Sequence, residues 1–294
     1  MEQAALEKKS LSCYSGDCFV LATKHAKSIA IAPIFSEKLE ASVVEYTLDT
    51  DQLGTFSGEV KRQGTALECA QKKCELALEI LGDKVEYVLA SEGSFGPHPY
   101  IPFLQCDHEI LYLIDRKHDF HLHVSHMSEK TNYNAKEINS LEELKAFAEK
   151  ALFPSHALIM RPNIRTEQSP IFKGIDSVDD LEAAFTECMK CSSDQKVWVE
   201  TDMRAQFNPS RMSVIAKLAE KLAEQLQAQC PNCETPARGK IGQEYGLICS
   251  ACGSATEQMK SEIFGCTKCD HQEKKARKDG LEFANPTYCN FCNP

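Results

Sequence analysis

The 294-residue sequence has no apolar stretch long enough to span a bilayer. It has no apolar h-region behind its first residues, MEQAALEKKS, so no secretory signal is expected. Positive charge is also short: 33 Lys and Arg stand against 43 Asp and Glu, a formal charge of −10. That balance repels phosphate backbones and argues against nucleic acid as a partner. These absences together point to a cytoplasmic protein without a membrane role. A hydrophobic content of 43% and a charged content of 26% are ordinary for a globular chain, and the length allows two domains or three. Cysteine, in contrast, is plentiful, with fifteen residues. In a reducing compartment these are poor material for a disulfide framework, and regular spacing among them points to metal.

Eight of the cysteines form four CxxC knuckles in residues 230–294: Cys230 and Cys233, Cys249 and Cys252, Cys266 and Cys269, Cys289 and Cys292. The gaps between knuckles are 15, 13 and 19 residues. A CxxC turn aims two thiolates at one ion, and two turns close a tetrahedral site. Two closed four-cysteine sites follow, with two structural zinc ions as cofactors and no open position for a substrate. Sequential pairing of the knuckles fits the gaps best, a nested arrangement is the second choice, and interleaving is the third. A tail this short and poor in large apolar residues needs its metal to fold. It carries eight Lys and Arg against eight Asp and Glu, so a protein partner suits it better than nucleic acid. The pair Cys188 and Cys191 has no companion knuckle and reads as structural.

Upstream, strands and helices alternate. Short strands are expected at Phe19–Thr23, Ser42–Thr47, Tyr87–Ala90, Ile110–Ile114, Phe120–Met127, Ala157–Met160 and Val197–Val199. Between them, Thr65 with Glu68 and Ser140 with Glu143 have the spacing of capping boxes, and Ser177 caps a third helix. A helix from Lys24 meets Pro33, residues 50–64 read as a loop, and Asn208-Pro209-Ser210 opens a long helix toward residue 229. The expected class is therefore α/β: a mixed, partly parallel sheet flanked by helices, followed by a small β-rich double zinc ribbon. The expected organisation is a flexible terminus at 1–15, an α/β domain at 16–229 with a lobe break near 130–140, and the ribbon at 230–294.

Several expected strands end in polar, reactive residues. The first runs into Thr23, Lys24 and Lys27, and the third into Glu92 and Ser94. Another ends in Arg161. Val197–Val199 leads to Asp202 and Arg204, and a helix start follows with Asn208, Ser210 and Arg211. Ligands of open α/β sheets bind outside the carboxyl ends of strands. Converging there, these residues suit an anionic, phosphorylated small molecule. Glu92 and Asp202 would act as the catalytic carboxylates holding Mg²⁺, and the lysines and arginines would face phosphate. The stretch SEGSFGPHP reads as a rigid, open ligand loop with Glu92 uncompensated at its base.

With these landmarks the chain resembles a bacterial family defined only as a domain of unknown function. The shared stretches are ATKHAK, LASEGSFGPHP, ETDMRAQFNPSRM and the four-knuckle tail ending CNP. The resemblance implies two domains but supplies no activity. A fainter likeness is to the pyrophosphatases that remove non-standard nucleoside triphosphates, with Thr23, Lys24 and Lys27 matching a phosphate loop. Glu92 would match a metal-binding or catalytic acid, and Ser210 with Arg211 the start of a late helix. Residues 100–195 depart from that group. A third likeness, to the ATP-grasp fold, would make ALIMRPN, DDLEAAF and VWVETD a unit around adenine, but it demands more chain after this point. The reading is a zinc-binding protein whose α/β part hydrolyses or binds a nucleotide-like phosphorylated molecule. Its alternative is a non-catalytic adaptor that recruits protein through the ribbons.

Overall fold

The computed structural model describes residues 12–48, 62 and 64–294. Most of the expected terminal segment 1–15 and of the expected loop 50–64 lies outside the described residues. The chain divides into two compact units, one of Met1–Asp115 with Leu122–Leu222 and one of Arg116–His121 with Ala223–Pro294. Among the described residues, no helix is long and apolar enough to cross a membrane.

The first unit holds two sheets. One runs β1 (Cys18–Ala22), β2 (Ser42–Tyr46), β3 (Tyr87–Pro97), β4 (Gln105–Asp115) and β5 (Phe120–Ser128), in the spatial order β2-β1-β3-β4-β5. β1 is parallel to β2 and to β3, and β3 is antiparallel to β4. Helix α1 (Ser28–Leu39) packs Phe35 edge-on against Phe19, at 5.0 Å between ring centroids, and Phe19 stacks on Tyr87 at 4.7 Å. Helix α2 (Ala66–Leu81) starts at the Thr65–Glu68 capping box. It turns small residues (Ala66, Ala70, Cys74, Ala77) onto Ala22, Val88 and Ala90 of the other sheet face. Side chains alternate along a strand, so Phe19 and Tyr87 belong to one face and Val88 and Ala90 to the other. The two helices thus cover opposite faces. From β1 the chain goes outward to β2, then crosses back over β1 to β3. The order reverses between β1 and β3, which is the topological switch point where such sheets take ligands.

The structure corrects the reading of SEGSFGPHP as an open turn. β3 continues through Ser91, Glu92 and Gly93 to Pro97, paired residue by residue with β4 from Gln105 to Asp115. Glu92 is therefore a mid-strand residue. The run of glycines and polar residues hides a strand because its buried positions, Ser91 and Gly93 among them, are not apolar.

The second sheet comprises β6 (Ala135–Ile138), β7 (Leu158–Pro162), β8 (Phe172–Ile175) and β9 (Val197–Thr201), ordered β6-β9-β7-β8 with each neighbouring pair antiparallel. Helices α3 (Leu141–Lys150) and α4 (Val178–Cys191) bury Leu144, Phe147, Leu181 and Phe185 against Leu158, Met160, Val197 and Val199. Cys188 belongs to this core, whereas Cys191 is exposed. Strands β6 and β8 have no counterpart in the sequence reading. They are four-residue edge strands, AKEI and FKGI, with too little apolar alternation to announce themselves. Helix α5 (Pro209–Gln227) follows β9.

In the second unit three antiparallel strands, β10 (Gly239–Tyr245), β11 (Met259–Gly265) and β12 (Gln272–Ala276), lie in sequential order. The fold class is therefore α/β with a partly parallel sheet, followed by a β-rich, cysteine-bearing region. Phe35→Ala should lower the free energy of unfolding by about 3–5 kcal/mol, as deletion of a fully buried aromatic does. Ile29→Ala, on the exposed side of the same helix, should change it by about 0.5 kcal/mol or less. Urea denaturation of the two variants measures both.

Candidate functional site

The cysteine knuckles pair in the order the sequence reading ranked last. Cys230, Cys233, Cys266 and Cys269 form one group, and Cys249, Cys252, Cys289 and Cys292 the other. First joins third and second joins fourth, so the interleaved arrangement replaces the sequential and nested ones. Strand direction is the reason. β10 carries the chain away from the first knuckle, β11 carries it back so that Gly265 lies beside Gly239, and β12 carries it out again. Each strand thus delivers the next knuckle to the opposite end of the sheet. At the far end, Cys249 bridges to Ala284 and draws the second and fourth knuckles together.

The sulfurs fit a metal. Within the first group, Cys230–Cys269 and Cys233–Cys266 are 3.7 and 3.5 Å apart; within the second, Cys249–Cys292 and Cys252–Cys289 are 3.9 and 3.6 Å apart. A disulfide would bring two sulfurs to about 2 Å. Four thiolates around one zinc ion at about 2.3 Å stand about 3.8 Å apart, which is the spacing found. Backbone N–H groups of Lys268 and Cys269 point at Cys266 Sγ, at 3.3 and 3.4 Å, and stabilise its thiolate form. Both tetrads are closed, so their role is structural. Cys188 and Cys191 belong to neither.

The first unit holds a second concentration of chemistry. Charged groups that are normally solvated are buried here in number: Lys27, Lys73, Glu92, Asp107, Glu109, Asp202 and Arg211 are each at most 9% exposed. Most are paired. Arg211, on the first turn of α5, donates from Nε to Glu109 Oε1 of β4 at 2.5 Å and from Nη1 to the Met203 carbonyl. Its guanidinium lies 5.1 Å from the Phe95 ring centre. Gly93 makes room for this: a Cβ there would come within 2.3 Å of Glu109 Oε1 and 2.6 Å of Arg211 Nη2. Glu92 does not stand uncompensated. It pairs with Lys73 of α2, and Arg62 reaches its other oxygen at 3.5 Å while bonding Ser94 Oγ at 2.8 Å and the Gly93 carbonyl at 2.5 Å. Burial alone would raise the Glu92 pKa, but Lys73, Lys27 and Arg62 together hold it below the usual carboxylate range. Asp202 accepts from Arg204 Nη2 at 2.6 Å and from the Gly174 N–H at 3.0 Å. Each of the two expected metal carboxylates thus has its own cation. Among the described residues, no group of three or more His, Cys, Asp or Glu side chains besides the tetrads is placed to hold an ion.

The other expected ligand residues divide. Lys27 sits at the N-cap of α1 and donates to Ser91 O and Oγ, at 3.1 and 2.7 Å. The last β1–β3 register pair is Leu21–Leu89, so the amine meets Ser91 just beyond the end of that pairing. Among the described residues it has no carboxylate within ion-pair distance; burial first, then Arg211, draws its pKa down to about 7. Thr23 is buried and accepts the His25 N–H at 3.2 Å, while Lys24 is half-buried in the same loop. Ala26 there holds a left-handed φ of 51°, a strain of about 1–2 kcal/mol for a residue with a Cβ. Asn208 caps α5, accepting the Arg211 N–H at 3.0 Å. Arg204 lies over Phe207, at 4.4 Å. Two expected residues are not brought into this cluster. Arg161 packs over Trp198 in the second sheet, at 5.3 Å, and Ser210 bonds His156 Nε2 at 2.9 Å.

A cavity of about 310 Å³ opens beside the cluster. Arg62, Gly93, Ser94 and Phe95 form one wall, and Tyr133, Ile159, Glu200, Thr201 and Met203 the other. The Phe95 and Tyr133 rings are 5.9 Å apart. Sequence reasoning missed Arg62, Lys73, Asp107 and Glu109. The alternation of Asp107, Glu109 and Leu111 along one strand face is a signal that could have found the last two.

The chain belongs to the family described as domain of unknown function (DUF6671), which matches residues 73–294. The landmarks LASEGSFGPHP, ETDMRAQFNPSRM and the cysteine tail fall inside that span, and ATKHAK precedes it. No curated protein and no solved structure matches the chain.

Two outcomes follow from the geometry. In the cadmium-113 spectrum of cadmium-substituted protein, Cys230→Ser and Cys266→Ser should each remove the same one of two thiolate resonances, and Cys249→Ser the other. Loss of one shared resonance in Cys230→Ser and Cys249→Ser would contradict the interleaved pairing. Gly93→Ala should destabilise the fold by about 1–3 kcal/mol or more, because the new methyl separates Arg211 from Glu109. Thermal melts measure this.

Proposed function

We propose that the protein binds a small phosphorylated, nucleotide-like molecule in the cleft of its first unit, while two zinc ions in the tetrads hold the tail folded. The cavity beside the β1–β3 switch point carries the reading. Its volume, about 310 Å³, lies at the low end of small-molecule pockets. That suits a monophosphate better than a triphosphate. Arg62 presents a guanidinium braced by Ser94, Glu92 and the Gly93 carbonyl, a fork suited to phosphate. Phe95 and Tyr133 offer ring faces to a planar group.

The reading is of binding rather than of magnesium-assisted hydrolysis, because Glu92 and Asp202 are each neutralised by protein cations. A second reading, recruitment of a protein partner by the tail, is favoured by the exposed side chains Phe283, Tyr288 and Phe291 near the second tetrad. Both place the protein in solution, with a cytoplasmic home consistent with reduced thiols.

Isothermal titration with adenosine monophosphate tests the cleft. Arg62→Gln should weaken binding by about tenfold or more, the loss expected for one charge-assisted phosphate contact, with little change in melting temperature. Unchanged affinity in that variant would contradict the assignment of Arg62.

A further inference from the structure

Glu92 and Asp202 each have a cation of the protein beside them, but a third carboxylate does not. Glu200 lines the cavity, and among the described residues no cation lies within ion-pair distance of it. Arg161 spends its guanidinium on the carbonyls of Pro162 and Asn163, each at 3.1 Å, and acts on Glu200 only through its charge. Val199 enters the core beneath α3 and α4, so alternation along β9 sends Glu200 to the opposite face. Ile159, its register partner on β7, shares that face and also lines the cavity.

Trp198, two residues back on the same face, donates its Nε1–H to Glu200 Oε2 at 3.0 Å. An indole N–H only donates, so it holds the carboxylate as an acceptor. Burial pushes the Glu200 carboxyl up, while the Trp198 N–H and then Arg161 favour the charged form. Oε1 accepts from no described residue, and Oε2 keeps a second lone pair beside the Trp198 bond. The cavity thus has a guanidinium on one wall, Arg62, and an acceptor-only group on the other, with Phe95, Tyr133, Ile159 and Met203 supplying apolar surface. A molecule that gives its phosphate to Arg62 turns its other end toward Glu200. A carboxylate there favours N–H donors and disfavours lone pairs.

The common bases differ at just this point. Guanine carries two adjacent donors on one edge, N1–H and the 2-amino group. Hypoxanthine keeps N1–H and lacks the amino group. Adenine and cytosine set an amino group beside a ring-nitrogen lone pair, and uracil sets its N–H between two carbonyls. We propose that Glu200 is the base-selecting residue of the cleft and that its ligand is a monophosphate of a guanine-like base, whose N1–H and 2-amino group it accepts together. The inference rests on the cleft reading above and names the ligand class within it.

Calorimetric titration of the full-length protein at pH 8 with guanosine, inosine and adenosine monophosphates tests this. The guanosine nucleotide should bind about tenfold or more tightly than the inosine one, the worth of one further hydrogen bond to a charged group. The adenosine nucleotide should also bind about tenfold or more weakly than the guanosine one, because its ring nitrogen faces the carboxylate with a lone pair. Glu200→Gln keeps an oxygen for Trp198 and turns the second acceptor into a donor. Its preference for guanosine over inosine should fall to about threefold or less, the difference left when the charged acceptor is gone. Arg62→Gln should weaken all three nucleotides alike and preserve their order, since the phosphate contact is common to them. Should Glu200→Gln fail to fold in a thermal melt, the wild-type order decides alone. Equal affinities for guanosine and inosine monophosphates in the wild type, or a preference that survives in folded Glu200→Gln, would overturn base selection by Glu200 and leave the cleft standing. Absence of binding by all three nucleotides would bring down the cleft reading and this inference together.

Discussion

A single buried guanidinium ties the two sheets of the first unit together. Arg211 starts on α5, directly after the second sheet ends at Thr201, and its side chain terminates on Glu109 in the first sheet. Both partners are fully desolvated, which costs several kcal/mol per ion and is recovered only with close geometry and further hydrogen bonds. The structure supplies them through the Met203 carbonyl and the face of Phe95. Much else follows from that pair. Residue 93 has to lack a side chain, Phe95 is held at the cavity wall, and Asn208 is engaged by the Arg211 backbone.

The same pair adds to what burial does to the protonation of its neighbours. Arg211 pairs with Glu109, and among the described residues no cation pairs with Asp107. Its positive charge also adds to burial in disfavouring the charged forms of Lys27 and His25. The cluster therefore combines tightly paired ions with groups that are neutral, or nearly so, at physiological pH. Such a contrast between neighbouring titratable groups is typical of ligand sites rather than of inert cores.

The cysteine tail was the most legible part of the sequence, because a CxxC spacing has few physical meanings. Its pairing was not legible, because loop lengths between knuckles say nothing of strand direction, and direction decides which knuckles meet. The alternating elements of the first sheet and its two helices were readable from periodicity and capping. The strand from Ser91 to Pro97 was not: its buried positions hold serine and glycine to accommodate Lys27 and the Arg211–Glu109 pair, so the apolar signal vanishes where the buried charged cluster begins. Lys27, Glu92 and Arg211 were found as polar residues at expected element ends. Their partners were missed because Lys73 lies inside a helix, while Asp107 and Glu109 precede the apolar core of a strand.

A double-mutant cycle on Arg211 and Glu109 tests the central claim most directly. Arg211→Met or Glu109→Leu alone strands one buried charge and should cost about 3–5 kcal/mol in urea unfolding. The double replacement strands none, and should recover most of that loss, giving a coupling of about 2 kcal/mol or more. Strictly additive losses would show that the two side chains act independently, and the account of a fold keyed by one ion pair would be contradicted.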